Sequence, residues 1–246
     1  MNESDVNKDS PVPLYYQIKE KLKEEIESGT LEPHDRLPSE RDLEKRYGVS
    51  RMTARRALTE LESDGYVYRE QGKGSYVAEP KLRQGLLELT GFSEDMKNRR
   101  MSPGAQVLEQ KTIEPEKAIA RKLKVSPDDK VFLLQRVRTA ESEPLAIETT
   151  HLRYELCEGI EEMDFSDRSL YSTLRNEYDL TLSRAKQSVE STLADDFEAT
   201  ELGVPEGTPM LTTERTTFIS DGETPIEYAR STYRGDRYKL LVELEG

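Results

Sequence analysis

The chain has 246 residues, of which 35% are charged and 34% are hydrophobic, and its formal net charge is −13. That length accommodates two domains with separate cores. No apolar run approaches the roughly 20 residues that a membrane helix needs, and residues 1–9 are polar, without the apolar core of a signal peptide. We therefore expect a two-domain cytoplasmic protein that makes no use of a membrane.

The sequence offers few residues for catalysis or metal binding. Cys157 is the single cysteine, so it forms no internal disulfide, and no clustered ligands surround it. The two histidines, His34 and His151, fall in different predicted domains, and no Ser-His-Asp, metal-binding or paired-carboxylate set can be assembled. The sequence predicts no enzyme, no cofactor and no metal site.

Three helices are predicted in the first 65 residues or so. Apolar residues at helical spacing across Leu14–Ile26 predict a first helix, which Gly29 ends. Ser39 is placed to cap a second, short helix, and Asp42 completes a capping box with it. Ser50 is placed to cap a third helix directly afterwards.

The third helix combines an apolar stripe with a basic first turn. Its stripe is formed by Ala54, Ala57, Leu58 and Leu61. Four polar residues lie outside the stripe: Arg51, Thr53, Arg55 and Arg56. Such a helix suits the major groove of DNA, where arginine donates two hydrogen bonds to guanine or holds a phosphate. An ordinary solvated face is the alternative, but the window 41–56 concentrates six basic residues against two acidic ones in an acidic chain.

A glycine-tipped hairpin follows these helices. Residues 66–69 and 75–77 are predicted strands, and the turn between them carries Gly72, Lys73 and Gly74. The glycines let the backbone approach a sugar-phosphate chain, and the lysine adds positive charge. The sequence thus predicts a winged helix-turn-helix over residues 10–78. Its predicted DNA-binding residues are Ser39, Arg41, Ser50, Arg51, Thr53, Arg55, Arg56, Gly72, Lys73 and Gly74.

The rest of the chain alternates short helices with β-rich segments. No periodicity is convincing over residues 79–89, which we interpret as a linker to a second domain at 90–246. Helices are predicted at 93–99, 115–123, 169–178 and 195–202, and strands at 106–112, 131–140, 145–152, 184–193, 210–220 and 225–233. Hairpin-length turns join most of the strands, so we expect an α+β fold with a mainly antiparallel sheet and flanking helices.

Two predicted hairpins resemble each other. Arg136–Thr139 followed by Glu143–Glu148 is similar to Arg215–Phe218 followed by Glu223–Glu227. One duplicated unit would then build both halves of a pocket. Chance similarity between hairpins of like composition is the alternative.

A candidate anion site lies in the first of these hairpins. Alternation along the strand places Arg136 and Arg138 on one face, roughly 6.6 Å apart, where two guanidinium groups suit a phosphoryl group. Ser93 and Ser169 each stand where a short helix is expected to begin, with Tyr171 close behind, and a helix N-terminus favours a phosphate. The alternative is that both arginines face solvent or pair with nearby acids.

Two acids in the echoing hairpins suit the polar end of a ligand. Glu148 and Glu227 would accept hydrogen bonds from sugar hydroxyls or an amide N–H. On a straight strand Glu227 and Tyr233 lie roughly 20 Å apart. We therefore expect the strand to bend, bulge or end between them if both serve one monosaccharide. For Tyr233 a core position is the alternative.

Three short motifs carry a family resemblance. Pro38–Arg41, Ser50–Thr53 and Gly72–Gly74 resemble the pattern of the GntR family of bacterial transcription regulators. The resemblance extends over the whole chain, because the second half is similar to the UTRA effector module of the HutC subfamily, whose fold is chorismate-lyase-like. Residues 90–97, 183–187 and 233–238 are similar to repressors of N-acetylglucosamine utilisation in that subfamily.

The resemblance implies a homodimeric repressor that reads a palindromic operator in double-stranded DNA. Its implied effector is N-acetylglucosamine 6-phosphate or glucosamine 6-phosphate, contacted by Phe92, Arg184 and Tyr233 besides the two glutamates. Three alternatives stay open: another sugar phosphate or small anion as effector, an enzyme of chorismate-lyase-like fold, and an architectural DNA protein without a ligand. The last of these would leave Arg136 and Arg138 without a role.

Overall fold

The computed structural model describes residues 6–8, 10–70, 72–79, 81–85 and 89–242. The chain divides into two compact units, residues 1–81 and 82–246. No helix in the described part of the chain is both long and apolar enough to span a membrane. Each unit is described by itself below.

The first unit contains three helices and a two-stranded sheet. Its elements are α1 (Leu14–Glu27), α2 (Glu40–Tyr47), α3 (Arg51–Ser63), β1 (Val67–Glu70) and β2 (Gly74–Val77). Ser39 and Asp42 form the predicted capping box, and Gly48 ends α2 in the left-handed conformation at φ 60°. Ser50 caps α3 through the Thr53 N–H. The buried stripe of α3 packs against Ile18 and Leu22 of α1, so the predicted amphipathic pattern is confirmed.

The second unit is built on a six-stranded antiparallel sheet. Its helices are α4 (Phe92–Asn98), α5 (Lys117–Leu123), α6 (Leu170–Glu177) and α7 (Asp196–Leu202), with two short 3₁₀ turns at Tyr154–Leu156 and Ile160–Glu162. Its strands are β3 (Leu82–Gly85), β4 (Pro103–Ile113), β5 (Val131–Ala140), β6 (Glu143–Arg153), β7 (Leu182–Leu193), β8 (Pro209–Ile219), β9 (Pro225–Arg234) and β10 (Tyr238–Leu241). The order in the large sheet is β4-β5-β6-β9-β8-β7, which confirms the α+β prediction.

The two echoing hairpins occupy matching places in this sheet. Strands β4, β5 and β6, with α5 after β4, form one half, and β7, β8 and β9, with α7 after β7, form the other. The halves meet where β6 pairs with β9, in a register that joins Ala146 to Tyr233 and Leu152 to Glu227. The two hairpins therefore lie side by side in the sheet, and residues of both line the same cavity.

A small sheet lies where a linker was expected. β3 pairs in parallel with β10, joining Leu82 to Tyr238 and Gly85 to Leu241. Residues 82–85 of the segment interpreted as a linker therefore form a strand; Pro80 and residues 86–88 lie outside the described part. The pairing is non-local and each strand has four residues, so neither segment carries a periodicity of its own.

The strand that holds Glu227 and Tyr233 is regular. β9 runs from Pro225 to Arg234, and its register with β6 shows no shift between the two residues. The expected bend, bulge or break is therefore absent. Both side chains still reach one cavity, because that cavity extends along the strand past Ala229 and Ser231.

Candidate functional sites

The basic face of α3 is exposed and held in place by one acid. The side chains of Arg51 and Arg55 are 69% and 49% exposed. Their Nε atoms donate to the two carboxylate oxygens of Glu40 at 2.9 and 2.8 Å. Hydrogen bonds from Arg55 and Arg51 lower the pKa of Glu40 to about 2. Glu40 therefore stays ionised and fixes both guanidinium groups at the surface.

Other predicted DNA-binding residues divide into exposed and structural groups. Arg41 and Arg56 are exposed, and Arg56 stacks on the Tyr15 ring at 3.8 Å. The hydroxyls of Ser39 and Ser50 accept from backbone N–H groups at helix starts, so their side chains serve capping. The Thr53 hydroxyl is also hydrogen-bonded to the Ser50 hydroxyl, with Oγ1 and Oγ 2.9 Å apart. The two serines therefore cap α2 and α3, whereas the arginine side chains are exposed at the surface.

The hairpin tip matches its predicted geometry. Gly72 and Gly74 adopt φ 76° and 129°, which side chains disfavour. A Cβ at Gly74 would meet Arg36 Nε at 3.1 Å. Lys73 is exposed and pairs with Glu70 at 2.8 Å. The tip thus presents bare backbone and one cation, as a wing that touches a DNA backbone requires.

The second unit encloses a polar cavity against one face of its large sheet. Its free volume is about 40 Å³, which holds roughly three water molecules. Nine of the ten predicted effector-binding residues line it: Phe92, Ser93, Arg136, Arg138, Glu148, Ser169, Tyr171, Glu227 and Tyr233. The remaining lining residues are Thr90, Gly91, Leu170, Thr213, Arg215, Ala229 and Ser231. The cavity is partly open to solvent.

The two arginines of the clamp are buried and share one carboxylate. Arg136 Nη2 donates to Glu148 Oε1 at 2.5 Å, and Arg138 Nη1 reaches the same oxygen at 3.4 Å. Arg138 Nη2 also donates to Ser93 Oγ at 2.8 Å. Arg136 and Arg138 are only 1% and 3% exposed, so the alternative that they face solvent is wrong. The alternative that they pair with nearby acids is correct in part, because both contact Glu148. Both Nε–H groups lack a partner among the described residues.

Burial sets the electrostatics of this clamp. Burial and the neighbouring Arg136 charge lower the pKa of Arg138 to about 10. Burial opposes ionisation of Glu148, but Arg136 and Arg138 prevail and lower its pKa. One carboxylate thus faces two guanidinium groups, and the local charge balance favours a further anion.

A second cluster occupies the other half of the cavity. Tyr171 OH and Thr217 Oγ1 donate to Glu227 Oε2 at 2.7 and 2.6 Å. Burial raises the pKa of Glu227, although these two hydrogen bonds and Arg215 act against it. Arg215 donates to Gln187 Oε1 at 2.7 Å and to the Thr90 carbonyl at 3.1 Å. Burial opposes the charge of Arg215, yet Tyr171, Tyr233 and Glu227 raise its pKa.

The structure differs from the predicted site at two arginines. Arg184 is exposed, donates to the Gly222 carbonyl at 2.6 Å and stacks on Phe218 at 3.8 Å, outside the cavity. A register shift between Leu182 and Arg184 pairs Arg184 with Phe218, and neither residue lines the cavity. Arg215 lines the cavity but was not predicted. Arg215 has the position in the second hairpin that Arg136 has in the first, and this similarity is the sequence signal that could have identified Arg215.

Comparison with known proteins agrees with this geometry. The model of bacterial regulatory proteins of the gntR family matches residues 14–77, and the UTRA domain matches residues 98–239. The chain therefore belongs to the GntR family and is a DNA-binding transcriptional regulator with a UTRA effector domain of the HutC type.

Individual relatives support the assignment over nearly the full length. The HTH-type transcriptional repressor NagR of Bacillus subtilis is 42% identical over 96% of both chains. The histidine utilization repressor of Pseudomonas putida is 32% identical, over 94% of this chain and 92% of that protein. The crystal structure of PhnF from Mycobacterium smegmatis has a TM-score of 0.67 and 30% identity, covering 93% of this chain and 99% of that one. The family is one of regulatory proteins, and both sequence relatives are repressors, which confirms the prediction that the chain is not an enzyme.

Proposed function

We propose that the protein is a homodimeric, cytoplasmic repressor of N-acetylglucosamine uptake and catabolism that binds a palindromic operator. Its proposed effector is an amino-sugar 6-phosphate, either N-acetylglucosamine 6-phosphate or glucosamine 6-phosphate. The observation that carries the proposal is the clamp, in which two buried arginines share one carboxylate and keep unpaired Nε–H groups. Such a site gains most from a ligand that brings two negative charges and several acceptor oxygens.

The other end of the cavity supports a sugar rather than a free phosphate. Glu227, Thr213 and Ser231 offer acceptors and hydroxyls along the wall that β8 and β9 form. A carboxylate there would orient a ligand by accepting from its hydroxyl or amide groups. The 42% identity to NagR supports the choice of an amino sugar over other sugar phosphates.

The cavity wall also suggests how occupancy reaches the DNA-binding unit. Thr90 and Gly91 line the cavity and follow the segment that connects the two units. Arg215 holds the Thr90 carbonyl, and a Cβ at Gly91 would lie 3.2 Å from the Tyr171 ring. A ligand that moves Arg215 or Tyr171 would therefore shift Thr90 and Gly91, which lie at the C-terminal end of that segment. A coupling of ~1–3 kcal/mol would weaken operator binding roughly 5- to 150-fold.

Fluorescence anisotropy on DNA from the upstream region of the protein's own gene tests the proposal at fixed salt. We expect N-acetylglucosamine 6-phosphate or glucosamine 6-phosphate to release the DNA, and unphosphorylated N-acetylglucosamine and glucose 6-phosphate to have little effect. Arg136→Met should remove the response and leave operator affinity unchanged. A normal response in that variant contradicts the clamp, whereas release by glucose 6-phosphate alone contradicts the amino sugar.

A further inference from the structure

Met52 is the most exposed large apolar side chain in the described part of the chain. It is 69% exposed, and it is the second residue of α3, within the first turn of that helix. Among the described residues, Met52 neither belongs to the apolar core of the first unit nor packs against it. Single exposed apolar residues are common on protein surfaces, so exposure by itself is no sign of function. The position of Met52 on the helix decides what its exposure means.

Met52 lies on the face of α3 that points away from the core. Residues three, four and seven positions apart share one face of a helix. The exposed residues at this spacing from Met52 are Arg55, Arg56 and Thr59. These four residues line one shallow depression in the surface, together with Tyr15 and Thr53. Met52 therefore places an apolar group among the arginines that are predicted to bind DNA.

The arginines near Met52 are held in place by other groups. Glu40 accepts from the Nε atoms of Arg51 and Arg55 at 2.9 and 2.8 Å. The Arg56 guanidinium group lies over a tyrosine ring at 3.8 Å. All three cations suit a phosphate or the acceptor edge of guanine. The Met52 side chain suits neither of these, so a different feature of DNA has to match it.

The major groove of DNA contains one apolar group that distinguishes the bases. Thymine presents a C5-methyl group there, whereas the other distinguishing groups are hydrogen-bond donors and acceptors. Methionine is unbranched and has three rotatable bonds, so its Sδ and Cε atoms adapt to an irregular surface. We propose that Met52 contacts the 5-methyl group of a thymine in the sequence that the first unit binds, and that this contact makes the unit prefer a T·A pair at that position. The inference rests on the DNA-binding role of the first unit and is independent of the proposed effector.

Removal of single methyl groups from the DNA tests this contact directly. The probe is a duplex that the wild-type protein selects from a random-sequence pool, so the test does not depend on which genes are regulated. Each thymine is replaced in turn by deoxyuridine, which keeps every hydrogen-bonding group and lacks the methyl group. Burial of one methyl group corresponds to about a 4-fold change in affinity. We therefore expect one replacement in each bound half-site to weaken wild-type binding about 4-fold, measured by fluorescence anisotropy at fixed salt.

Variants at position 52 should change this response to the methyl group, and not only the affinity. Met52→Ala should bind the thymine duplex at least about 4-fold more weakly than wild type, and the critical replacement should then have no further effect. Met52→Leu keeps an apolar side chain and should keep at least about a 2-fold response. Met52→Gln has a similar length but a polar end, and it should lose the response.

A matched control separates the contact from a general loss of apolar surface. Val242→Ala truncates an exposed apolar side chain in the other unit. It should bind both duplexes like the wild type. Circular dichroism verifies that each variant is folded.

Four results would overturn the proposal. The first is a selected sequence that has no thymine, or none whose replacement weakens wild-type binding. The second is an equal effect of every replacement on wild type and Met52→Ala, which would mean that the methyl groups act through DNA shape. The third is an equal loss for Met52→Ala on the selected duplex and on unrelated DNA, which would assign Met52 to the DNA backbone. The fourth is unchanged affinity of Met52→Ala for the selected duplex.

Discussion

Each unit of this regulator places one carboxylate between two arginines, but the surroundings are opposite. In the first unit Glu40 holds Arg51 and Arg55, whose side chains are largely exposed. In the second, Glu148 holds Arg136 and Arg138, which are almost fully buried. An exposed pair exchanges its partner for DNA phosphate at little cost, because water already solvates it. A buried trio cannot lose its carboxylate without leaving uncompensated charge. The same local chemistry thus gives exposed guanidinium groups in the first unit and buried ones in the second.

The largest effect expected from this comparison is on stability. Glu148→Gln should lower the free energy of unfolding of the second unit by about 3–5 kcal/mol, since two arginines lose their buried counter-charge. Glu40→Gln should cost about 1 kcal/mol or less. Chemical denaturation followed by circular dichroism measures both.

Two controls sharpen this result. Glu227→Gln removes the other cavity carboxylate, but burial already disfavours its charge and a Gln carbonyl still accepts from Tyr171 and Thr217. We expect Glu227→Gln to lower the free energy of unfolding by about 1 kcal/mol or less.

Added phosphate should stabilise Glu148→Gln more than wild type. If Glu148→Gln and Glu227→Gln lowered the free energy of unfolding equally, the stabilisation would come from the general polarity of the cavity and not from the carboxylate that Arg136 and Arg138 share.

The next largest effect concerns the exposed side of the comparison. Arg51→Ala should weaken operator binding by about 1–3 kcal/mol if the arginine contacts a base edge. Effector affinity, measured by calorimetry, should stay unchanged. Arg121→Ala on α5 is a matched control, because it removes an exposed arginine from the other unit. A parallel loss in both variants would indicate a general charge effect instead of a reading contact.

Acid should remove the stabilisation that the Glu40 carboxylate gains from Arg51 and Arg55. The pKa of Glu40 in the folded protein lies below its ordinary value, so the stabilisation is present above about pH 4.5 and is lost as the pH falls towards about 2. Solvent screening of its partners reduces the effect to about 1 kcal/mol. The stability difference between wild type and Glu40→Gln should therefore shrink across this range. If the stability difference between wild type and Glu40→Gln stayed constant with pH, the ion pairs of Glu40 with Arg51 and Arg55 would make no contribution to stability.

Much of this architecture follows from local signals in the sequence. Capping residues, helical stripes and alternating strands predict α1 to α7 and β4 to β9 to within a few residues. The β3–β10 pair was missed because it is non-local and parallel. Arg184 is expected at the site only from the family resemblance, and it does not line the cavity; the register shift next to it could not be read from the sequence. Glu148 was expected at the sugar end of the cavity, but only the folded sheet places it directly opposite Arg136.

The smallest effect belongs to the wing and tests whether its role is purely electrostatic. Lys73→Ala should reduce the slope of log affinity against log salt by about 1, with nearly equal loss on operator and unrelated DNA. We expect this because Lys73 is exposed beside two backbone glycines, a position from which it would neutralise a phosphate and read no base. Anisotropy titrations over a series of salt concentrations measure this slope, and Lys45→Ala on α2 is an exposed lysine control. If Lys73→Ala lowered affinity for the operator alone, the wing would be reading sequence, and the division between a base-reading helix and a phosphate-holding wing would be incorrect.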